Sequence, residues 1–178
     1  MHRVTLIGFR ACGKSTVGRL LAARLAWPFV DADTVIEHEL GVSIAAFFKT
    51  HGEAAFRDAE SRALANILVG EKPLVLATGG GAVLREANRA QLAARGGMIV
   101  YLEAPVAVIQ ERLRHNLGGR PSLTGSNPID EVPALIAARE PLYRELAHVV
   151  LPTGASPAEV AEKVAGHLAE ELARRGEG

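Results

Sequence analysis

The chain has 178 residues, a length that suits one domain with a buried core, and 48% of them are apolar, too many for a disordered chain. Lysine plus arginine equals aspartate plus glutamate at 20 each, so no overall basic excess points to nucleic acid, and any selectivity for anions has to come from local arginines. No apolar run reaches the roughly 20 residues of a membrane span, no signal-peptide stretch opens the chain, and the single cysteine, Cys12, excludes an internal disulfide. The expectation is one domain over residues 1–178, cytoplasmic and monomeric, with neither nucleic-acid nor membrane partners.

Short apolar runs alternate with longer helix-patterned segments, the signature of an α/β fold with a mostly parallel sheet. Strands are expected near 3–7, 28–30, 74–77, 98–102 and 148–151. The first helix follows a glycine loop and runs to about Leu25. Ser43 reads as the N-cap of a helix reaching about His51. Residues 53–68 form another helix, with Phe56, Leu64 and Leu68 marking its apolar stripe. Pro105 stands where a first helical turn tolerates proline, ahead of a helix to about His115. Residues 116–128 carry glycine, proline, serine and asparagine without periodicity, a long loop of the kind that serves as a lid. Helices are expected over 130–146 and 157–174, with a frayed tail at 175–178.

Gly8-Phe9-Arg10-Ala11-Cys12-Gly13-Lys14-Ser15 matches G-x-x-x-x-G-K-[ST], after a strand and before a helix as that motif requires. Glycines let the backbone curl into a ring of inward N–H groups that cradle phosphate oxygens, and the following helix adds its positive end. Lys14 supplies a charge to the β- and γ-phosphates, and the Ser15 hydroxyl suits Mg²⁺. A loop of this type specifies a nucleoside triphosphate but not the acceptor. No guanine-reading N/TKxD motif is present.

Asp31-Ala32-Asp33 falls at the carboxyl end of the second expected strand, where ligands bind in a doubly wound sheet. Two carboxylates there suit Mg²⁺ and an attacking hydroxyl; the plainer alternative is a pair of strand-end aspartates capping the next helix. Gly79-Gly80-Gly81 leaves bare backbone that a ligand can approach, or else is a flexible turn. Arg57 and Arg139, on expected helices, carry forks that fit a carboxylate or phosphate, although helix arginines are usually just solvated. Arg120, in the glycine-rich loop, suits charge neutralisation during phosphoryl transfer. Glu60 either holds the Arg57 guanidinium or makes an ordinary ion pair with it. Cys12, beside a helix N-terminus and Lys14, reads either as a reactive thiolate or as a small side chain that fits the turn.

Together these pieces resemble the shikimate kinase family. The strings run in the family's order: Gly8 to Gly18, Phe29-Val30-Asp31-Ala32-Asp33, Gly52-Glu53 with Phe56-Arg57 and Glu60, Thr78-Gly79-Gly80-Gly81, Arg120-Pro121, and Arg139 with Pro141-Leu142-Tyr143. The resemblance covers about residues 1–153. It implies a P-loop fold with a five-stranded parallel sheet and a mobile lid, and transfer of the γ-phosphoryl group of ATP to the 3-hydroxyl of shikimate. It implies that Asp33 holds shikimate hydroxyls and acts as base, and that Arg57 and Arg139 clamp the carboxylate beside Gly79, Gly80 and Gly81. ATP is implied to lie on Gly8, Ala11, Cys12, Gly13, Lys14, Ser15 and Thr16, with Arg112 on the adenine side and Arg120 on the phosphates. Lys14 and Arg120 join Asp33 as catalytic residues, and Ser15 with Asp31 would hold Mg²⁺. Ala11 departs from the family's usual glycine, which matters if that position needs a positive φ.

Overall fold

The computed structural model describes residues 2–115 and 129–176. Its centre is β1 (Arg3–Ile7), a run buried throughout, as a strand covered on both faces must be. Around it lie β2 (Phe29–Asp31), β3 (Leu74–Ala77), β4 (Met98–Glu103) and β5 (Val149–Pro152) in the order β2-β3-β1-β4-β5. All pairings are parallel, with Leu6 opposite Ala77 and Val100, so the carboxyl ends of the strands share one edge. The order reverses beside β1, and this reversal opens a crevice for ligand at that edge.

The period-2 alternation of the strands divides the core between the two faces of the sheet. Val4, Leu6, Val100 and Leu102 pack against α1 (Lys14–Leu25) and α7 (Pro157–Arg175) through Val17, Leu21, Val160 and Val164. Ile7, Leu76, Ile99 and Tyr101 point the other way, onto Leu64, Leu92 and Tyr143. A smaller cluster of Ile36, Phe56 and Ala63 joins α2 (Ala32–Leu40) to α3 (Ile44–Val69) beside the edge of the sheet that holds β2.

The expected elements are present, with corrections. Helices 43–51 and 53–68 meet end to end in α3 and are broken at Gly52, whose φ of 78° and ψ of 176° no helix accommodates. Ser43 caps the first part by accepting from the Ala46 N–H. β2 is Phe29–Asp31 rather than 28–30. α4 (Glu86–Arg95) was not expected, and α2 only as the helix that the Asp31/Asp33 pair would cap in the plainer alternative. α4 buries only Asn88 and Leu92, too little for an apolar stripe. α5 (Val106–His115) agrees with expectation, whereas α6 (Val132–Leu146) starts two residues later than 130–146. Arg175, assigned to a frayed tail, instead ends α7, which Gly176 closes at φ 69°. The expected lid, 116–128, lies outside the described residues.

Candidate active site

The phosphate loop follows β1 and delivers the chain into α1 through Gly13 at φ 111°. At Gly8, φ 142°, an added Cβ would stand 2.7 Å from the Leu102 carbonyl oxygen, so the loop can only lie this close to β4 with glycine there. Ala11 also has a positive φ, 61°, the condition under which its departure from the family's glycine matters. Lys14 is buried, and its Nζ donates to the Gly8 and Phe9 carbonyls at 2.8 Å each. The ammonium is thus stored against the loop's own carbonyls. Cys12 is 1% exposed and packs in the core beneath the loop, which supports the reading as a side chain that fits the turn.

Asp31 caps the next helix, as the plainer of its two readings expected, and also holds the Ser15 hydroxyl. One carboxylate oxygen accepts from the Asp33 N–H at 3.1 Å and so caps α2; the other accepts from the Ser15 hydroxyl at 2.5 Å. Arg112 reaches over from the last turn of α5, where its Nη1 donates to the Ala11 carbonyl at 3.0 Å. A cavity of about 850 Å³ opens here, lined among others by Ala11, Lys14, Thr16, Asp31, Asp33 and Arg112.

A second cavity, of about 180 Å³, lies between α2, α3, the glycine triplet and α6. Arg57, Glu60 and Arg139 on its wall are all buried. The Arg57 fork is held by Glu60 at 2.7 Å and by Glu53 at 3.2 Å. Burial raises the pKa of Glu60 above the ordinary carboxylate value, with Arg57 opposing the shift and Asp33 adding to it. These side chains also explain Gly79 and Gly81, while an added Cβ at Gly80 would stand 2.9 Å from the Arg10 backbone nitrogen. A Cβ on Gly79 would stand 2.7 Å from Asp33 Oδ1 and 2.8 Å from Glu60 Oε1, and one on Gly81 would run into the Arg57 guanidinium.

The expected site residues that the structure describes line one or both cavities, except Gly8 and Cys12, which line neither; Arg120 lies outside the described residues. Asp33 and Gly80 line both cavities, so the two spaces adjoin at the carboxylate expected to act as base. Arg10 lines both as well, and sequence reasoning gave it no role. It pairs with buried Glu131, 121 residues away, at 2.7 Å. Phe9 carries the Arg139 guanidinium 5.4 Å from its ring centre. No local pattern announces such contacts, although a charged residue inside a glycine loop was a hint. Among the described residues no three His, Cys, Asp or Glu side chains cluster to hold a metal. The Ser15 hydroxyl and Asp31 carboxylate nevertheless form a pair of hard oxygen donors, which fits Mg²⁺ completed by phosphate and water.

Comparison with known proteins is consistent with this arrangement. A family model described as shikimate kinase matches residues 10–169. The shikimate kinase of Nitratidesulfovibrio vulgaris is 47% identical over 169 residues, covering 94% of this chain and 95% of that protein. That of Oleidesulfovibrio alaskensis is 43% identical over 178 residues, covering 99% of this chain and 100% of its own. Among solved structures, shikimate kinase from Acinetobacter baumannii in complex with shikimate superposes with a TM-score of 0.89 at 37% identity, covering 96% of this chain and 94% of that one.

Proposed function

The chain belongs to the shikimate kinase family, and we propose that it transfers the γ-phosphoryl group of ATP to the 3-hydroxyl of shikimate, giving shikimate 3-phosphate and ADP on the route to the aromatic amino acids. The observation that carries this reading is the position of Asp33, which lines both the phosphate-loop cavity and a small pocket walled by two buried arginines. A small acceptor that bears both a carboxylate and hydroxyls suits that pocket.

Arg57 and Arg139 bind the acceptor carboxylate from α3 and α6, and the amides of Gly79, Gly80 and Gly81 complete the wall. The acceptor hydroxyl then lies at Asp33, which orients it and takes its proton as the new O–P bond forms. Gly8, Ala11, Cys12, Gly13 and Thr16 contribute the phosphate loop, and Lys14 releases the Gly8 and Phe9 carbonyls to meet the β- and γ-oxygens. The bond from the γ-phosphorus to the bridging oxygen breaks toward ADP, in line with the attack. Ser15 and Asp31 would hold Mg²⁺, which when bound neutralises phosphate charge. Arg112 lies toward the adenine, and Arg120 neutralises charge on the moving phosphoryl group. No protein nucleophile is used; catalysis comes from position and charge. The chain is read as a monomer, and the lone thiol of Cys12 is in keeping with the cytoplasm.

The test is ADP release from ATP-Mg²⁺ with shikimate, quinate, gluconate or AMP as acceptor. Stimulation by shikimate alone, with product of the phosphorylated mass, is expected. Stimulation by a different acceptor alone would move the substrate while keeping the chemistry.

A further inference from the structure

Tyr143 lies on α6 one turn after Arg139 and is 1% exposed. Its ring stacks on Tyr101 of β4, centroids 5.0 Å apart at 23°. Its hydroxyl donates to the Gly80 carbonyl at 2.5 Å, across 63 residues of sequence. The same carbonyl also accepts from Arg139 Nη1 at 3.4 Å. Two successive turns of α6 thus grip one peptide group of the glycine triplet.

A buried tyrosine hydroxyl needs some acceptor, and satisfying it is the plain explanation of such a bond. The choice of acceptor argues for more. Three consecutive glycines have the greatest backbone freedom of any tripeptide, and ordering them only when a ligand arrives would weaken binding. A planar trans peptide sets its C=O and N–H in opposite directions, so holding the Gly80 carbonyl also fixes the direction of the Gly81 N–H, on the wall of the acceptor cavity. The anchor is rigid, because Tyr101 belongs to the central sheet. Burial also holds the Tyr143 phenol above its ordinary pKa, so the group remains a donor into the alkaline range.

We propose that Tyr143 is a positioning residue of the acceptor site: its hydroxyl locks Gly80 onto α6, so that the triplet amides and the Arg139 guanidinium meet the acceptor carboxylate as one preformed unit. This inference rests on the functional reading above for the identity of the acceptor, but the lock itself does not depend on it.

The experiment is Tyr143→Phe, which keeps the ring and its stack on Tyr101 and removes only the donor. Amide exchange over residues 79–83 of the ligand-free variant is expected to accelerate. The KM for shikimate is expected to rise about three- to tenfold, the worth of one hydrogen bond, while the KM for ATP stays within about twofold. Unchanged exchange together with unchanged shikimate KM overturns the proposal. A parallel rise in both KM values overturns it too, because that marks general loosening. A variant that fails to fold also counts against it, since the hydroxyl would then be serving the core. If wild-type enzyme does not respond to shikimate, the functional reading fails, and the exchange measurement still decides the lock.

Discussion

At the scale of single residues, the site combines strain with buried charge. Ala11 occupies the left-handed region at φ 61°, which costs an L-residue roughly 1–2 kcal/mol. Ala11→Gly relieves that strain but adds freedom to the unfolded chain, worth about 0.4–1 kcal/mol the other way. The net expectation is a gain of about 0.5–1 kcal/mol, seen as a higher urea midpoint with an unchanged slope. A lower midpoint would show that the loop holds Ala11 without strain. Glu60 is 3% exposed and carries a raised pKa, chiefly through burial. The folded state therefore binds this proton more tightly than the unfolded chain, so stability from this group is present at low pH and declines as pH rises from the ordinary value of 4.5 through the raised one. Glu60→Gln cannot ionise. Arg57 keeps its pair with Glu53, and any stability deficit of the variant against wild type should narrow as pH rises across that window. A gap that widens in denaturation series at several pH values would mean that the Arg57 attraction outweighs burial.

At the scale of elements, α3 builds much of the acceptor pocket from both sides of one break. Ile44, Ala45 and Phe48 line the cavity from before Gly52, and Arg57 and Glu60 line it from after. The angle between the two parts is set by φ 78°, ψ 176°, a conformation essentially confined to glycine. Space is not the obstacle, since nothing lies within 4 Å of an added Cβ at Gly52. Gly52→Ala is therefore expected to lose about 1–3 kcal/mol through backbone strain alone. It should also raise the KM for shikimate more than that for ATP, whose cavity is lined by neither part of α3. Equal changes in the two constants would show that the break does not shape the pocket. The break was legible because Ser43 and the Phe56, Leu64, Leu68 stripe belong to two separate patterns. α4 was not legible, and α2 was legible only in the capping alternative for the Asp31/Asp33 pair. In α2 the Asp31-Ala32-Asp33 string reads as the end of a strand, and Asp31 in fact does both jobs, ending β2 and capping the helix. In α4, EANRAQLAAR offers one large apolar anchor, Leu92, and its other buried residue is Asn88, which donates to the Ala82 carbonyl at 3.0 Å. Hydrophobic periodicity cannot find a helix that docks through a hydrogen bond.

At the scale of the whole molecule, the phosphate loop was readable because its chemistry needs neighbouring residues in one string. The acceptor pocket was different: Asp33 and Gly80 were read as ligand-facing from their place after strands, but Arg57 and Arg139 carry little meaning alone, and the roles of all four came through the family resemblance. Contacts such as Arg10 with Glu131 and Tyr143 with Gly80 span 121 and 63 residues, and no sequence period encodes them. Topology makes those contacts possible, because the strand order brings the ends of β1, β2 and β3 and the loops that follow them to one edge. It also makes the two cavities share Arg10, Asp33 and Gly80. A ligand in either cavity restrains these three residues, so a second ligand meets a wall that is already partly ordered. ADP-Mg²⁺ and shikimate should therefore bind cooperatively in the non-reactive complex. Each alone at about 100 times its Kd stabilises the fold by about 2.7 kcal/mol, a rise in Tm of roughly 5–11 °C for a domain of this size. Together they should exceed the sum of the two separate free-energy gains, and titration of shikimate should give a lower Kd with ADP-Mg²⁺ present than without. Strict additivity with an unchanged Kd would mean that the shared residues are already rigid in the free enzyme, and that the two cavities act as independent sites joined only by the distance the phosphoryl group must cross.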